Sequence, residues 1–133
     1  MTYADSQAKQ RVIAAVVQRA DTLLVCQRPP EKRHGGLWEF PGGKCERGET
    51  DIDAISRELH EELAVTVTAI GEEQYRISDP GSNFLIAFLA VTIEGEPQCI
   101  EHTDVRWAPL EAIRELPLAP SDRAFVATLR LLK

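Results

Sequence analysis

Cysteine is scarce in this chain of 133 residues, and its three copies, Cys26, Cys45 and Cys99, are scattered without a CxxC pair. Such a set supplies neither a disulfide framework nor a zinc site, so we expect reduced thiols in a cytoplasmic protein. Long hydrophobic runs are missing too: no apolar stretch is long enough to cross a membrane, and no signal peptide is recognised. We therefore expect no membrane contact.

Positive charge is also in short supply. The chain has 15 Lys and Arg against 21 Asp and Glu, a formal net charge of −6. Proteins bind a nucleic-acid polymer through basic patches, so this balance argues against such a partner. An acidic protein still binds a small polyphosphate where a metal ion and a few basic side chains neutralise the ligand, and this class of partner stays open.

Repeats, linkers and low-complexity tracts are absent as well. The composition, 44% hydrophobic and 27% charged, is ordinary for a soluble globular protein. A chain of this length can bury one hydrophobic core. We expect a single domain over residues 1–133, in which polar residues 1–10 form a flexible N-terminal tail.

Apolar and β-branched runs predict the strands. The runs at 12–17 and 22–27, separated by a short polar connection, predict two strands joined as a hairpin. Three further segments carry strand patterns, namely 65–70, 74–77 and 83–91.

Two short helices are predicted near the carboxyl end of the chain, one from Pro109 and one capped by the segment 120–122. The second is amphipathic, with four residues expected to face inward: Phe125, Val126, Leu129 and Leu132.

A longer helix is predicted after the glycine-rich turn at 40–43. Thr50 and Asp53 stand at capping-box spacing, with Asp in place of the usual Glu. Apolar residues then recur three and four positions apart and predict one buried stripe, formed by Ile52, Ile55, Leu59 and Leu63.

Glu58, Glu61 and Glu62 share another face of this helix. Glu58 and Glu62 form a like-charge pair that costs about 0.2–0.5 kcal/mol. All three lie towards the negative end of the helix dipole. A solvated polar face is the ordinary interpretation of such a cluster. Because this one follows a glycine-rich turn beside an apolar stripe, a divalent cation explains it better, and hard oxygen ligands suit Mg²⁺ or Mn²⁺.

The stretch from Gly43 to Val65 resembles the Nudix box, the signature of the Nudix hydrolase family. Glu49 follows Gly43 after five residues, and after seven more comes the run RELHEELAV at 57–65. Every charged position of the motif is present. One position departs, because Ala64 stands where the family has Gly. This position follows the helix and often needs a permissive backbone, and Ala can replace Gly there if the backbone φ is negative. The resemblance implies an α/β (α+β) fold, the Nudix α/β/α sandwich with a mixed β-sheet between helices.

The resemblance also implies which residues hold the metal and perform the chemistry. Its metal ligands are the carbonyl of Gly42 and the carboxylates of Glu58, Glu61, Glu62 and Glu101, with Mg²⁺ or Mn²⁺ as the cofactor. Its catalytic residues are Glu58, Glu61, Glu101 and Arg57, with Glu58 or Glu101 as general base. Arg57 and Glu49 are expected to position the ligands. Glu101 is assigned because it stands six residues before Trp107, as in MutT-like members; a loop carboxylate is otherwise simply solvated.

Five substrate-binding side chains follow from the same resemblance: Arg28, Phe40, Lys44, Phe84 and Asp122. Arg28 and Lys44 are expected at the phosphates. Phe40 is expected to stack on the base, a contact worth roughly 1–3 kcal/mol, and Phe84 to face the base pocket or else to pack in the core.

Asp122 stands where enzymes directed at 8-oxo-dGTP have Asn. Its alternative role is that of an N-cap for the last helix. An ionised Asp only accepts hydrogen bonds, which suits the exocyclic amine of cytosine or the N1–H and N2 amine of guanine.

The resemblance therefore implies an enzyme, a Mg²⁺-dependent MutT-like hydrolase acting on small nucleoside triphosphates. It would release the monophosphate and pyrophosphate from substrates such as 8-oxo-dGTP, and so serve nucleotide-pool sanitation and DNA repair. A CTP, dCTP or 5-methyl-dCTP pyrophosphohydrolase is the alternative. A non-catalytic Nudix-fold module that recognises a nucleobase or a partner protein is an alternative of another class. Either a monomer or a homodimer is compatible with the sequence.

Overall fold

The computed structural model describes residues 9–130 of the chain. The strands in this part are β1 (Gln10–Val16), β2 (Gln18–Arg19), β3 (Thr22–Gln27), β4 (Trp38–Glu39), β5 (Gly42–Lys44), β6 (Thr66–Ser78), β7 (Phe84–Glu94) and β8 (Asp104–Pro109). The helices are α1 (Asp51–Leu63), α2 (Leu110–Ile113) and α3 (Pro120–Ala127). No helix among the described residues has the length and apolar character needed to span a bilayer.

The strands form two sheets. The first has the order β5-β1-β7-β6 and is mixed, because β1 and β7 run parallel while the other pairs are antiparallel. The second is antiparallel and centred on β3, which pairs with β8 along one side and with β2 and β4 along the other. The predicted mixed sheet is confirmed.

The predicted hairpin between 12–17 and 22–27 is wrong. β1 lies inside the first sheet, where it pairs with β5 and β7, and the residue that follows it, Val17, accepts a hydrogen bond from Leu24 N of β3 at 3.1 Å. The hairpin is the short one between β2 and β3. An apolar run buried on both faces predicts a central strand but does not specify its partners. Gln10, assigned to the tail, pairs with Phe84 in β1, and residues 1–8 lie outside the described part.

β6 merges the two strands predicted at 65–70 and 74–77 into one strand of 13 residues. Its register against β7 shifts at three places between Val67 and Tyr75. Each such bulge interrupts the inward–outward alternation of side chains, which explains why the sequence pattern broke in two.

Side chains of β1 alternate between two cores, one on each side of the sheet. Ile13 and Ala15 pack with α1, whereas Ala14 and Val16 pack with residues of α2 and α3. The helices thus cover opposite faces, and the predicted α/β/α layering is confirmed.

The capping box predicted for α1 is present, because Thr50 Oγ1 accepts from Asp53 N and Asp53 Oδ2 accepts from Thr50 N, each at 3.2 Å. Ile55, Leu59 and Leu63 are fully buried, as predicted. The predicted burial of Ile52 is wrong, since this residue is 38% exposed in the first turn of the helix.

The carboxyl end of α1 and the amino end of α3 are both capped by an alanine. Ala64 caps α1 with φ 58° and ψ 35°, so the condition of a negative φ is not met and the residue lies in the left-handed region. The cap of α3 is Ala119, which forms no side-chain capping bond; Pro120 occupies the first turn, and the capping role given to 120–122 is wrong. Phe125 and Val126 face inward, whereas Leu132 lies outside the described residues.

Candidate active site

A cleft of about 790 Å³ gathers most of the predicted residues. Its lining includes Arg28, Phe40, Gly42, Lys44, Glu62, Phe84, Glu101 and Asp122. Three predicted residues, Arg57, Glu58 and Glu61, are not among the lining residues and belong to the adjoining face of α1. The sheet edge, the end of α1, the start of β7 and the start of α3 therefore meet at one place.

The glycine pair that precedes α1 provides the space for Glu58. A Cβ at Gly43 would fall on the Glu58 carboxylate, and a Cβ at Gly42 would collide with the carbonyl oxygen of Ile13. Only glycine fits at either position, so the turn lets a helix carboxylate lie directly against backbone at the edge of the cleft.

Glu62 is the buried acid of the cleft, with 7% of its surface exposed. It follows Ile55 by seven residues, about two helical turns, and so falls in the middle of the buried face. Burial, a hydrogen bond with Glu58 and the charges of Glu58, Glu39 and Glu101 raise the pKa of Glu62 to about 10. Its Oε1 atom finds no hydrogen-bond partner among the described residues. Adjacent hard carboxylate oxygens with an unsatisfied buried atom fit a divalent cation.

Arg57 fixes the carboxylates around it. Its guanidinium binds Glu49 through two hydrogen bonds of 2.8 and 2.9 Å and binds Glu58 Oε2 at 3.0 Å. The bonds from Arg57, followed by a backbone hydrogen bond at Glu46, lower the pKa of Glu49 to about 2. Glu61 is half-exposed and lies 3.6 Å from Arg57. Within residues 9–130, no three His, Cys, Asp or Glu side chains are grouped closely enough to hold a metal as they stand.

Glu101 is exposed and lies on the Glu62 side of the cleft, since its charge contributes to the raised pKa of Glu62. Its loop is tied to the end of α1 by backbone hydrogen bonds from Gln98 N to Leu63 O (2.8 Å) and from Ile100 N to Glu62 O (3.4 Å). The loop thereby brings Glu101 to the same side of the cleft as Glu62.

The basic side chains stand at the mouth of the cleft. Arg28 Nη1 lies 3.0 Å from Glu39 Oε1, and Arg28 Nε donates to Arg33 O at 2.6 Å. Lys44 is exposed, with its Nζ 5.3 Å from the ring centre of Phe84.

The predicted stacking surface at Phe40 does not fit its position. Phe40 is 3% exposed and packs edge-on against Phe125 (5.3 Å between ring centres) and Phe88 (6.0 Å). Phe84 and Ile86, on alternate positions of β7, are only half-buried and line the cleft. They supply the accessible apolar surface there.

Asp122 is 7% exposed and its Oδ2 accepts a hydrogen bond from Phe40 N at 2.9 Å. It faces the cleft and is not the N-cap of α3. Burial, followed by the charge of Glu39, raises the pKa of Asp122 to about 8.

Sequence reasoning missed three residues of the cleft, and two of them, Glu39 and His102, contact each other. Glu39 accepts from Arg28 with one oxygen and lies 3.2 Å from His102 Nε2 with the other. The signal for Glu39 was available, because it is the charged residue directly between two buried aromatic residues, Trp38 and Phe40, and neighbouring residues of an extended chain point in opposite directions. His102 carried no such pattern.

Asp79 is a third missed residue, predicted only as part of a turn. It is buried and receives hydrogen bonds from Ser121 (2.6 Å), Ser82 (2.9 Å) and Arg33 (3.2 Å). Burial by itself raises its pKa, but these three bonds outweigh it and the pKa of Asp79 is lowered. Asp79 thus joins the basic loop, the β6–β7 turn and the start of α3.

Comparison with known proteins places this architecture in a family. The model of the NUDIX domain matches residues 8–129. A Mycobacterium tuberculosis protein named putative 8-oxo-dGTP diphosphatase 2 is 37% identical over 128 residues, which cover 90% of this chain and 87% of that protein. The CTP pyrophosphohydrolase of Escherichia coli K12 is 36% identical over 114 residues, 84% of each chain.

Solved structures agree with the sequence comparison. The solution structure of the E. coli ORF135 protein superposes with a TM-score of 0.78 at 34% identity, covering 92% of this chain and 89% of that one. The Nudix box on α1, the mixed sheet between helices and the matching domain model lead to one conclusion: the chain belongs to the Nudix family of hydrolases.

Proposed function

We propose that this hydrolase is a MutT-like enzyme that cleaves nucleoside triphosphates, such as 8-oxo-dGTP, to the monophosphate and pyrophosphate. The observation that carries the proposal is the content of one cleft. It joins the buried acid Glu62, which adjoins Glu58 on α1, to the basic side chains of Arg28 and Lys44 and the buried carboxyl group of Asp122. These are complementary to a metal-bound polyphosphate at one end and a base at the other.

Mg²⁺, or Mn²⁺, is the proposed cofactor. The residues that would hold it are Glu58, Glu61 and Glu62, with the carbonyl of Gly42 and Glu101. A bound divalent ion neutralises phosphate oxygens and lowers the pKa of a coordinated water.

The protein's own side chains have separate roles in this proposal. Arg57 binds Glu58 directly and is itself held by Glu49. Arg57 and Glu49 therefore orient the proposed ligand Glu58. Glu58 or Glu101 accepts the proton of the attacking water. Arg28 and Lys44 stabilise the charge that develops on the leaving pyrophosphate.

Asp122 is proposed to select the base. With a pKa of about 8, it is accessible at neutral pH both as an acid, which donates and accepts, and as a carboxylate, which only accepts. The acid offers 8-oxoguanine the same pair of functions as an Asn, whereas the carboxylate suits the amine of cytosine. CTP, dCTP or 5-methyl-dCTP hydrolysis is therefore the second candidate, and the names of the two relatives differ in the same way.

We further propose one domain over residues 1–133, acting in the cytoplasm as a monomer or homodimer on small-molecule substrates. The three free thiols support a reducing compartment. The non-catalytic module is the weaker candidate, because every box carboxylate is retained and three of them surround Arg57.

Pyrophosphate release with Mg²⁺ tests the proposal. We would compare kcat/KM for 8-oxo-dGTP, dGTP, dCTP, CTP and 5-methyl-dCTP. Preference for the oxidised guanine makes this a pool-sanitising enzyme, and preference for cytosine places Asp122 on the base amine. Absence of turnover on every substrate, with the protein folded, would contradict the proposed activity.

Glu61→Gln should lower kcat by orders of magnitude while leaving the melting temperature near that of the wild type. The half-exposed carboxylate contributes little to packing, but the site loses a charged ligand. Glu111→Gln, an exposed acid on α2, is the matched control and should retain full activity. Turnover near the wild-type rate in Glu61→Gln would remove Glu61 from the metal site.

A further inference from the structure

We infer that His102 is a positioning residue for substrate binding: its buried imidazole holds Glu39, and Glu39 in turn holds Arg28 towards the phosphates. This inference rests on the proposed function, in which Arg28 contacts the triphosphate. None of the resemblances described above assigns a role to His102.

The three side chains form one continuous line of contacts. His102 Nε2 lies 3.2 Å from Glu39 Oε2, and Glu39 Oε1 lies 3.0 Å from Arg28 Nη1. Each carboxylate oxygen therefore has one partner, and Glu39 is shared between an imidazole and a guanidinium. All three residues line the cleft.

Exposure increases along this line from one end to the other. The side chain of His102 is 6% exposed, that of Glu39 19% and that of Arg28 27%. The imidazole is thus the enclosed and least movable end, whereas the guanidinium is the end that a ligand can reach. Support of this kind, in which buried partners orient an accessible binding group, raises affinity by reducing the conformational freedom lost on binding.

The backbone also connects the two ends. Thr103 N donates to Gln27 O at 2.9 Å, so the residue after His102 is bonded to the residue before Arg28. The carbonyl of His102 accepts from Cys99 Sγ at 3.0 Å. The bond from Thr103 N therefore fixes the backbone next to His102 relative to the end of β3, from which Arg28 projects.

The ring nitrogens distinguish this role from simple packing. A nitrogen that faces a carboxylate oxygen carries the hydrogen, so the geometry assigns Nε2–H as the donor to Glu39. Nδ1 is buried and has no hydrogen-bond partner among the described residues. An apolar side chain would fill the same space without that unpaired atom, and the contribution of the imidazole is therefore its bond to Glu39.

Ligand affinity measured without a metal ion tests the inference directly. The probes are dCTP and 8-oxo-dGTP analogues with a methylene bridge between the α and β phosphorus atoms, bound in EDTA and followed by calorimetry. His102→Ala should weaken binding about tenfold, the lower range for loss of a supporting hydrogen bond in a site. His102→Gln, whose side-chain amide also donates, should recover most of the affinity. His60→Ala and His60→Gln on the exposed face of α1 are the matched controls and should bind as the wild type does.

A double-mutant cycle separates positioning from general stability. In the Arg28→Ala background, His102→Ala should weaken binding less than about twofold, because coupled residues lose their shared contribution only once. Glu39→Ala should weaken binding as much as His102→Ala does, and in the Glu39→Ala background His102→Ala should have little further effect. The Glu39→Ala variant also tests the inference if His102→Ala does not fold. The same fold-change in both backgrounds, unchanged affinity in a folded His102→Ala, or a His102→Gln no better than the Ala variant would overturn the inference.

The outcome for the inference is distinct from that for the proposed function. A wild-type enzyme that releases pyrophosphate while His102→Ala retains full affinity sinks the inference alone. A wild-type protein that neither turns over nor binds these analogues sinks the proposed function, and the role of His102 with it.

Discussion

At the scale of single residues, the ionisation of Asp122 affects both stability and base recognition. Its carboxyl group is buried beside the backbone of Phe40, and burial raises its pKa to about 8. A group whose pKa is raised on folding contributes stability that is complete below its ordinary pKa. That contribution is lost as the pH rises through about 8. The same ionisation changes what the residue offers to a base.

Replacing Asp122 with Asn should remove both pH effects. An amide stays neutral at both pH values. The free energy of unfolding of Asp122→Asn should therefore increase relative to that of the wild type as the pH rises. The difference between the two proteins should be about 1–3 kcal/mol larger at pH 9 than at pH 5. It should also shift kcat/KM towards 8-oxo-dGTP and flatten its pH dependence between about 7 and 9. Urea denaturation at both pH values and the substrate panel provide the measurements. An identical pH dependence of stability in the two proteins would contradict the raised pKa.

At the scale of elements, the end of α1 carries a local conflict. Ala64 adopts φ 58°, a conformation that costs an L-residue roughly 1–2 kcal/mol and that glycine adopts freely. The Nudix box usually has Gly at this position, so the chain keeps the backbone turn and accepts the strain of a side chain in it.

Ala64→Gly should therefore stabilise the protein by about 0.5–1 kcal/mol, after allowance for the greater freedom of glycine in the unfolded chain. Ala20, with φ 54° in the β2–β3 turn, is a second site where the change should stabilise. Ala112→Gly in right-handed α2 is the opposite control and should destabilise by about 1 kcal/mol. Chemical denaturation measures all three, and a less stable Ala64→Gly would refute the strain.

At the scale of the whole molecule, the buried acid of the cleft connects ligand binding to stability. Glu62 and Glu58 lie together, and burial with the neighbouring carboxylates raises the pKa of Glu62 to about 10. A cation that binds only the folded protein stabilises the whole fold by mass action.

The melting temperature of the wild type should accordingly rise when Mg²⁺ replaces EDTA. Glu62→Gln should melt higher than the wild type in EDTA, because a buried acid becomes a neutral amide, and should lose most of the response to Mg²⁺. The two thermal scans require no turnover. Equal Mg²⁺ responses in both proteins would exclude Glu62 from the cation site.

Much of the candidate site could be predicted from sequence because its signals are local. The capping box of Thr50 and Asp53 and the stripe of Ile55, Leu59 and Leu63 depend on residues three and four apart. The Nudix box likewise lies within one turn and one helix. The predicted burial of Ile52 was wrong because the spacing of apolar residues along a helix does not show how far a neighbouring element covers its first turn.

The partners of elements distant in the chain were decided only by the tertiary structure. The run at 12–17 required a central strand, but its pairing with β7 and β5 depends on long-range packing. Phe40 was expected at the base and lies in an aromatic core, held by a hydrogen bond to Asp122 across 82 positions of sequence.

The sequence by itself determined the helix with its carboxylates and the central strands, because these follow from local periodicity, capping and spacing, and its Nudix box carried the resemblance to the family. The tertiary structure alone decided that Glu62 and Asp122 are buried and that Glu39 joins His102 to Arg28. Burial and electrostatic environment arise where separate elements meet, and they raise the pKa of Glu62 and of Asp122.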